Sequence, residues 1–205
     1  MLRIAHIFIT IVAVCSLSQC TINDNRQEVE IPLDKICVGD IAFRRGEGFT
    51  SNIVAYKDAD GKYSHVGVIA QSDSGLVVVH AVPGDHPTQG GYDIVRAESL
   101  SEYFARNNAG KGEIMRIALD STQQAVINNL ALKKAMQQVE FDHQYNLDDT
   151  TKLYCTELLQ HIFKAAGIDL AQGRITTINA PGMSNNYIMP SDIHHNPDLK
   201  TIFIY

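Results

Sequence analysis

The chain has 205 residues, 45 % of them hydrophobic, and its 23 acidic and 17 basic side chains leave a formal charge of −6. An acidic balance argues against a nucleic-acid partner, which demands a basic face. The length suits a single domain with a sizeable core.

Taken in chain order, the first segment is not part of the fold. Arg3 gives a short positive start, and the run IAHIFITIVAVCSLS carries no formal charge. It is shorter than the ~18 apolar residues a membrane span requires and fits a secretory leader. It ends in Leu17-Ser18-Gln19-Cys20, which resembles a bacterial lipobox although Gln19 replaces the usual small residue. Residues 1–19 are therefore expected to be a lipoprotein-type leader, with Cys20 the lipidated residue; ordinary secretion or an uncleaved anchor is the alternative. The polar, aromatic-free stretch TINDNRQEVEIPLDK then reads as a tether, 20–33, ahead of a domain over 34–205.

VGDIAFR reads as a turn feeding a strand, and RRGEGFTSNIVAYKDADGKY as a mobile stretch. HVGVIAQ (65–71) and LVVVHAV (76–82) are β-branched runs joined by SDSG, which predicts a hairpin. PGDHPTQGG is a loop, YDIVRA a strand, ESLSEYFARN a short helix and GEIMRIAL another strand. A long helix fits STQQAVINNLALKKAMQQV, with Ser121 or Thr122 as cap and Ala125, Leu132, Ala135, Met136 and Val139 on its apolar stripe. After a polar loop, TELLQHIFKAAG places Leu158, Leu159, Ile162, Phe163 and Ala166 on one stripe, closed by Gly167. KTIFIY closes the chain as a strand. Strands and helices are segregated, so the expected class is α+β with a mainly antiparallel sheet.

Two cysteines fall within the domain, Cys37 and Cys155. Cys37 reads as a small buried residue, although an oxidising compartment would permit it to pair with Cys155. Cys155 opens an apolar-periodic helix, in LYCTELL. The first turn of a helix offers unpaired N–H groups and about half a positive charge, both favouring thiolate. On that basis Cys155 should react with a thiol probe faster than Cys37.

A thiol that attacks a carbonyl needs a base, a group to orient the base, and oxyanion donors. If Ser72 pairs with Gly75 across a two-residue turn, Gly67 lies opposite His80 and His65 opposite Val82. His65 and His80 then become diagonal neighbours on one face, about 7–8 Å apart at the backbone. Gly67 leaves a gap between them into which a helix terminus could press. The residues point to Cys155 as nucleophile, His65 as base and His80 as the group orienting His65. The Cys155 N–H is a natural oxyanion donor, and Tyr154, Tyr145 and Tyr63 are further candidates for the oxyanion site or the pocket. His143, His161 and the pair His194-His195 follow no ligand pattern, so no metal site is expected.

GDIAF, YSHVGVI, VVHAVPG, LYCTELL and MPSDI, in this order, resemble the permuted papain-like hydrolases of the YiiX/YebB group. These belong to the NlpC-type cell-wall peptidase superfamily and are similar in layout to lecithin retinol acyltransferases. The resemblance covers nearly all of 34–205. It implies a small sheet packed on the cysteine helix, catalytic roles for His65 and Cys155, and no metal or organic cofactor. The third position is often Glu in the group; here it would be His80, closer to the acyltransferase branch. The expected activity is a cysteine hydrolase cleaving an amide bond, in a peptidoglycan peptide met in the cell envelope. Acyl esters or amides of lipids are the alternative substrates, with Phe49, Ile53, Val54 and Tyr56 as an acyl groove. A binding module without turnover is the reading of another class.

Overall fold

The computed structural model describes residues 29–46, 48–58, 60–83, 93–179 and 185–205. The expected leader and Cys20 lie outside these residues, as does all but Pro83 of the loop expected at 83–91. Among the described residues no helix is long and apolar enough to cross a membrane.

After a 3-10 turn at Leu33–Lys35, β1 (Ile41–Arg45) leads into α1 (Phe49–Lys57). The hairpin strands are β2 (His65–Ser72) and β3 (Gly75–Val82), followed by β4 (Ile94–Ser99), α2 (Leu100–Tyr103) and β5 (Lys111–Arg116). The helices α3 (Ser121–Met136) and α4 (Cys155–Ala165) come next. A two-stranded pair, β6 (Thr176–Ile178) and β7 (Asn185–Tyr187), precedes α5 (Pro190–His194) and β8 (Lys200–Ile204). The main sheet runs β4-β3-β2-β1-β5-β8 with every neighbouring pair antiparallel. The expected α+β class is the observed one.

The β2–β3 register is the one the turn predicts: Ser72 pairs with Gly75 and Val68 with Val79. Gly75 sits at φ +114°, a conformation a side chain would strain, so the two-residue turn closes there without cost. Strand alternation then sorts the side chains into two cores. Val66, Val68, Ala70, Val77, Val79 and Ala81 pack with residues of α3 and α4. Ala42, Ile69, Val78 and Ile114 pack instead with Leu100 and Tyr103 of α2 and with Phe104.

Helix α4 buries Leu158, Leu159, Ile162 and Phe163 completely. At about 1.5–3 kcal/mol per side chain, this stripe contributes about 6–12 kcal/mol before entropy. Gly167, at φ +79°, terminates it, with its N–H donating to the Lys164 carbonyl.

Several expectations are corrected. The stretch read as mobile holds α1, because its flanking glycines and charges mask a helical FTSNIVAYK. The cap of α3 is Asp120 rather than Ser121 or Thr122, since its carboxylate accepts from the Gln123 N–H while the Gln123 side chain returns to the Asp120 N–H. Met136 is 84 % exposed rather than part of the apolar stripe. Gly67 does not admit a helix terminus, because Val78, Val79 and His80 already fill the space a Cβ would need. Cys37 is an exposed free thiol, not a buried one, since it sits in the turn that Asp40 closes by accepting the Cys37 N–H.

Candidate active site

Cys155 is the first residue of α4, and the start of that helix is held from two sides. Thr156 donates its hydroxyl to the Ile188 carbonyl, while the Ile188 N–H donates to the Tyr154 hydroxyl at 2.9 Å. On the other side, the Cys155 sulfur meets the backbone N–H of Val66, the residue after His65. The helix terminus therefore abuts the beginning of β2, where His65 stands.

The two histidines meet as their register requires. His65 Nε2 and His80 Nδ1 are 2.8 Å apart, both residues are buried, and their ring centroids are 5.0 Å apart. Beyond them lies a group that sequence reasoning missed: His80 Nε2 is 3.1 Å from Glu98 Oε2. The contact has the distance of an ion pair without the alignment of a full hydrogen bond. Glu98 is also paired with the Arg96 guanidinium and lies 3.8 Å from Arg44. Against the upward pull of burial, His80, Arg96 and Arg44 hold the Glu98 carboxyl down at about 2, so it is ionised.

That carboxylate fixes the protons along the chain. An ionised Glu98 only accepts, so the Nε2 of His80 carries the hydrogen and its Nδ1 is an acceptor. His65 must then donate from Nε2, which leaves a lone pair on its Nδ1. Burial first, and then the Arg44 and Arg96 charges, keep both rings neutral: His80 is lowered to about 4 and His65 well below its ordinary value. Arg44 is the cross-strand partner of His65, donates to the Tyr103 carbonyl at 2.9 Å, and lies 4.3 Å over the Tyr103 ring. Tyr103 in turn floors the pair, with ring centroids 6.0 Å from His65 and 5.0 Å from His80.

The thiol departs from expectation. Cys155 keeps partial exposure as a residue, but the packing around its sulfur is dense, and burial pushes the thiol up to about 11. The N–H groups of Val66, Thr156 and Cys155 itself pull the other way without prevailing. Burial thus outweighs the helix terminus, and at rest both the Cys155 thiol and the His65 imidazole are neutral.

The three tyrosines are placed differently from one another. Tyr154 is buried, with its hydroxyl held by Ile188. Tyr145 packs its ring on Tyr154 and Tyr187, at 5.2 and 5.8 Å. Tyr63 is 2 % exposed and donates to Glu113 at 2.6 Å, so it packs beneath the sheet end rather than closing a pocket. Glu98 had one sequence signal: in IVRAES the charges of Arg96 and Glu98 alternate with the apolar Val95 and Ala97, of which Val95 is buried and Ala97 exposed. Their register opposite His80 and Val78 is what the sequence did not reveal.

This arrangement is accompanied by a sequence match. The permuted papain-like amidase family, YaeF/YiiX, C92, matches residues 35–203. The chain belongs to this family. It is accordingly a permuted papain-like cysteine amidohydrolase. A solved structure titled as the metalloprotein YiiX of Escherichia coli O157:H7 shares the fold at 18 % identity and a TM-score of 0.68, over 83 % of this chain and 98 % of that one. Among curated proteins none matches by sequence.

Proposed function

We propose that Cys155 is the nucleophile of an amide hydrolysis, with His65 as its base and His80 as the residue that orients His65. The single observation carrying this reading is the continuous contact from Glu98 through His80 and His65 to the strand end where the sulfur lies.

In the first half-reaction, His65 Nδ1 takes the thiol proton as sulfur bonds to the amide carbon. Moving that proton as attack proceeds suits two groups that burial keeps neutral. The Cys155 N–H donates to the developing oxyanion. Collapse breaks the C–N bond, and the imidazolium gives its proton to the departing amine. Water, deprotonated by the same imidazole, then attacks the thioester and releases the carboxylic acid and the thiol.

The substrate proposed is the stem peptide of peptidoglycan. The leader-like 1–19 and the lipobox-like Leu17-Ser18-Gln19-Cys20 support export and a membrane anchor at Cys20, which would bring the domain to the cell envelope. The test is digestion of purified peptidoglycan and, separately, of a bacterial lipid extract, read by mass spectrometry. New amine and carboxyl ends in stem peptides are expected. Release of fatty acid from the lipids, with intact peptides, would move the same machinery to acyl substrates.

A further inference from the structure

A second cluster of titratable groups lies apart from the thiol, where α5 meets the turn ahead of β2. Asp58 fixes that meeting: its carboxylate accepts the Ser191 N–H at 3.0 Å and the Ser191 hydroxyl. Two residues on from Asp58, Asp60 reaches His195, with Oδ2 2.9 Å from His195 Nε2. His194, the preceding residue, is held by its ring edge against Phe43 at 5.2 Å and by a tilted contact with Tyr63 at 5.3 Å.

The state of His194 is set by Glu113, which lies 3.0 Å from its Nε2. Glu113 is 2 % exposed, and its carboxylate also accepts from Lys62, Thr201 and Tyr63. Lys62 sits on this same side, 2.8 Å from Glu113 and 3.4 Å from His194 Nε2, and balances the carboxylate charge. Glu113 at 3.0 Å is nearer to Nε2 than the Lys62 ammonium at 3.4 Å, and an imidazole that donates there carries its lone pair on the other nitrogen. That nitrogen, Nδ1, is buried and has no hydrogen-bond partner among the described residues. A histidine whose one nitrogen is engaged by a carboxylate while the other offers a lone pair is the usual condition of a metal ligand.

One ring nitrogen from each of His194 and His195 and one carboxylate oxygen of Asp60 lie within 4.8 Å of one another. We propose that Asp60, His194 and His195 bind a divalent transition-metal ion of the zinc class, with Glu113 as the residue that positions His194. Two imidazoles and a carboxylate suit zinc or its first-row neighbours rather than calcium or magnesium, which prefer oxygen ligands. Bonds of about 2.0–2.2 Å need the three atoms to draw closer, and Asp60 and His195 are exposed enough to turn inward. The ion would tie the end of α5 to the turn that delivers His65. This proposal does not depend on turnover at Cys155.

The test uses the tag-free chain, stripped with chelator and titrated with Zn²⁺, with Mg²⁺ and Ca²⁺ as controls. Bound metal is counted after gel filtration and binding is read as a thermal shift. One zinc per chain and a raised Tm with zinc alone are expected. His195→Ala and Asp60→Asn, both at exposed positions, should weaken zinc about tenfold or more, and Glu113→Gln about 10–100-fold. Cys155→Ala and His65→Ala should bind as the unaltered chain does. Sub-stoichiometric zinc would overturn the proposal. So would wild-type affinity in His195→Ala and Asp60→Asn, or loss of zinc in Cys155→Ala, which would place the ion at the thiol.

Discussion

The molecule uses one device twice, on opposite flanks of the β1–β2 pair. On one flank Glu98 of β4 contacts His80; on the other Glu113 of β5 contacts His194. Each carboxylate is kept ionised against burial, by Arg96 and Arg44 in the first case and by Lys62, Tyr63 and Thr201 in the second. They differ in where the fixed lone pair ends. At the Glu98 end a second imidazole, His65, relays it to the strand terminus beside the Cys155 sulfur. At the Glu113 end no second imidazole accepts it among the described residues, and His194 keeps a buried Nδ1 open. The same local electrostatics thus suit the proposed base in one place and the proposed metal ligand in another, according to the next group along.

The largest effects should separate the two flanks outright. Cys155→Ala and His65→Ala should each lower turnover by about 10⁴-fold or more, and the double variant should lose little beyond either, because groups acting as a unit are not additive. His194→Ala, on the other flank, should leave turnover within about twofold. Steady-state kinetics on peptidoglycan fragments distinguish these, and a comparable loss at His194 would break the comparison.

His80→Gln should cost less, about 10–100-fold, since the glutamine oxygen can still accept from His65 while the contact with the Glu98 carboxylate is lost. Glu98→Gln should be smaller again, about tenfold, because the ring contact survives while the charge that fixes its proton does not. If Glu98→Gln matches wild type in turnover, the carboxylate is structural and the relay stops at His80.

A further prediction concerns pH. The Cys155 thiol is raised, so its thiolate fraction grows only as pH climbs; alkylation of Cys155 by iodoacetamide should keep accelerating above pH 9. His65 and His80 are lowered, so both are neutral across pH 6–8, and no acid limb is expected in kcat/KM there. An alkylation rate that reaches its plateau by pH 7 would instead show a thiolate–imidazolium pair. At neutral pH exposed Cys37 should label first, the reverse of what the helix terminus alone suggests.

Much of this was legible in the residues, and what was missed has physical causes. The hairpin was readable because a two-residue turn fixes its register, and with it the meeting of His65 and His80. Cys155 was readable as the first residue of a helix whose apolar stripe is strong. Its protonation was not, since burial depends on strands and loops from elsewhere in the chain. Glu98 escaped because the β4 register is not fixed by a short turn: residues 83–93 separate β4 from β3, and their number says nothing about pairing. The His194-His195 pair showed no ligand pattern because its partners, Asp60 and Glu113, are distant in sequence. Helix α1 was hidden by glycines and charges at its ends, and β6 and β7 are only three residues each.

The claim at the centre is that the Cys155 sulfur carries the acyl group during turnover. Acid quenching of the reaction with a peptidoglycan fragment, followed by peptide mapping, measures this directly. The account predicts an acyl adduct of the donor's mass on the peptide containing Cys155, absent from Cys155→Ala, whose product formation is also lost. Undiminished product from Cys155→Ala, or an adduct on Cys37 instead, would contradict it.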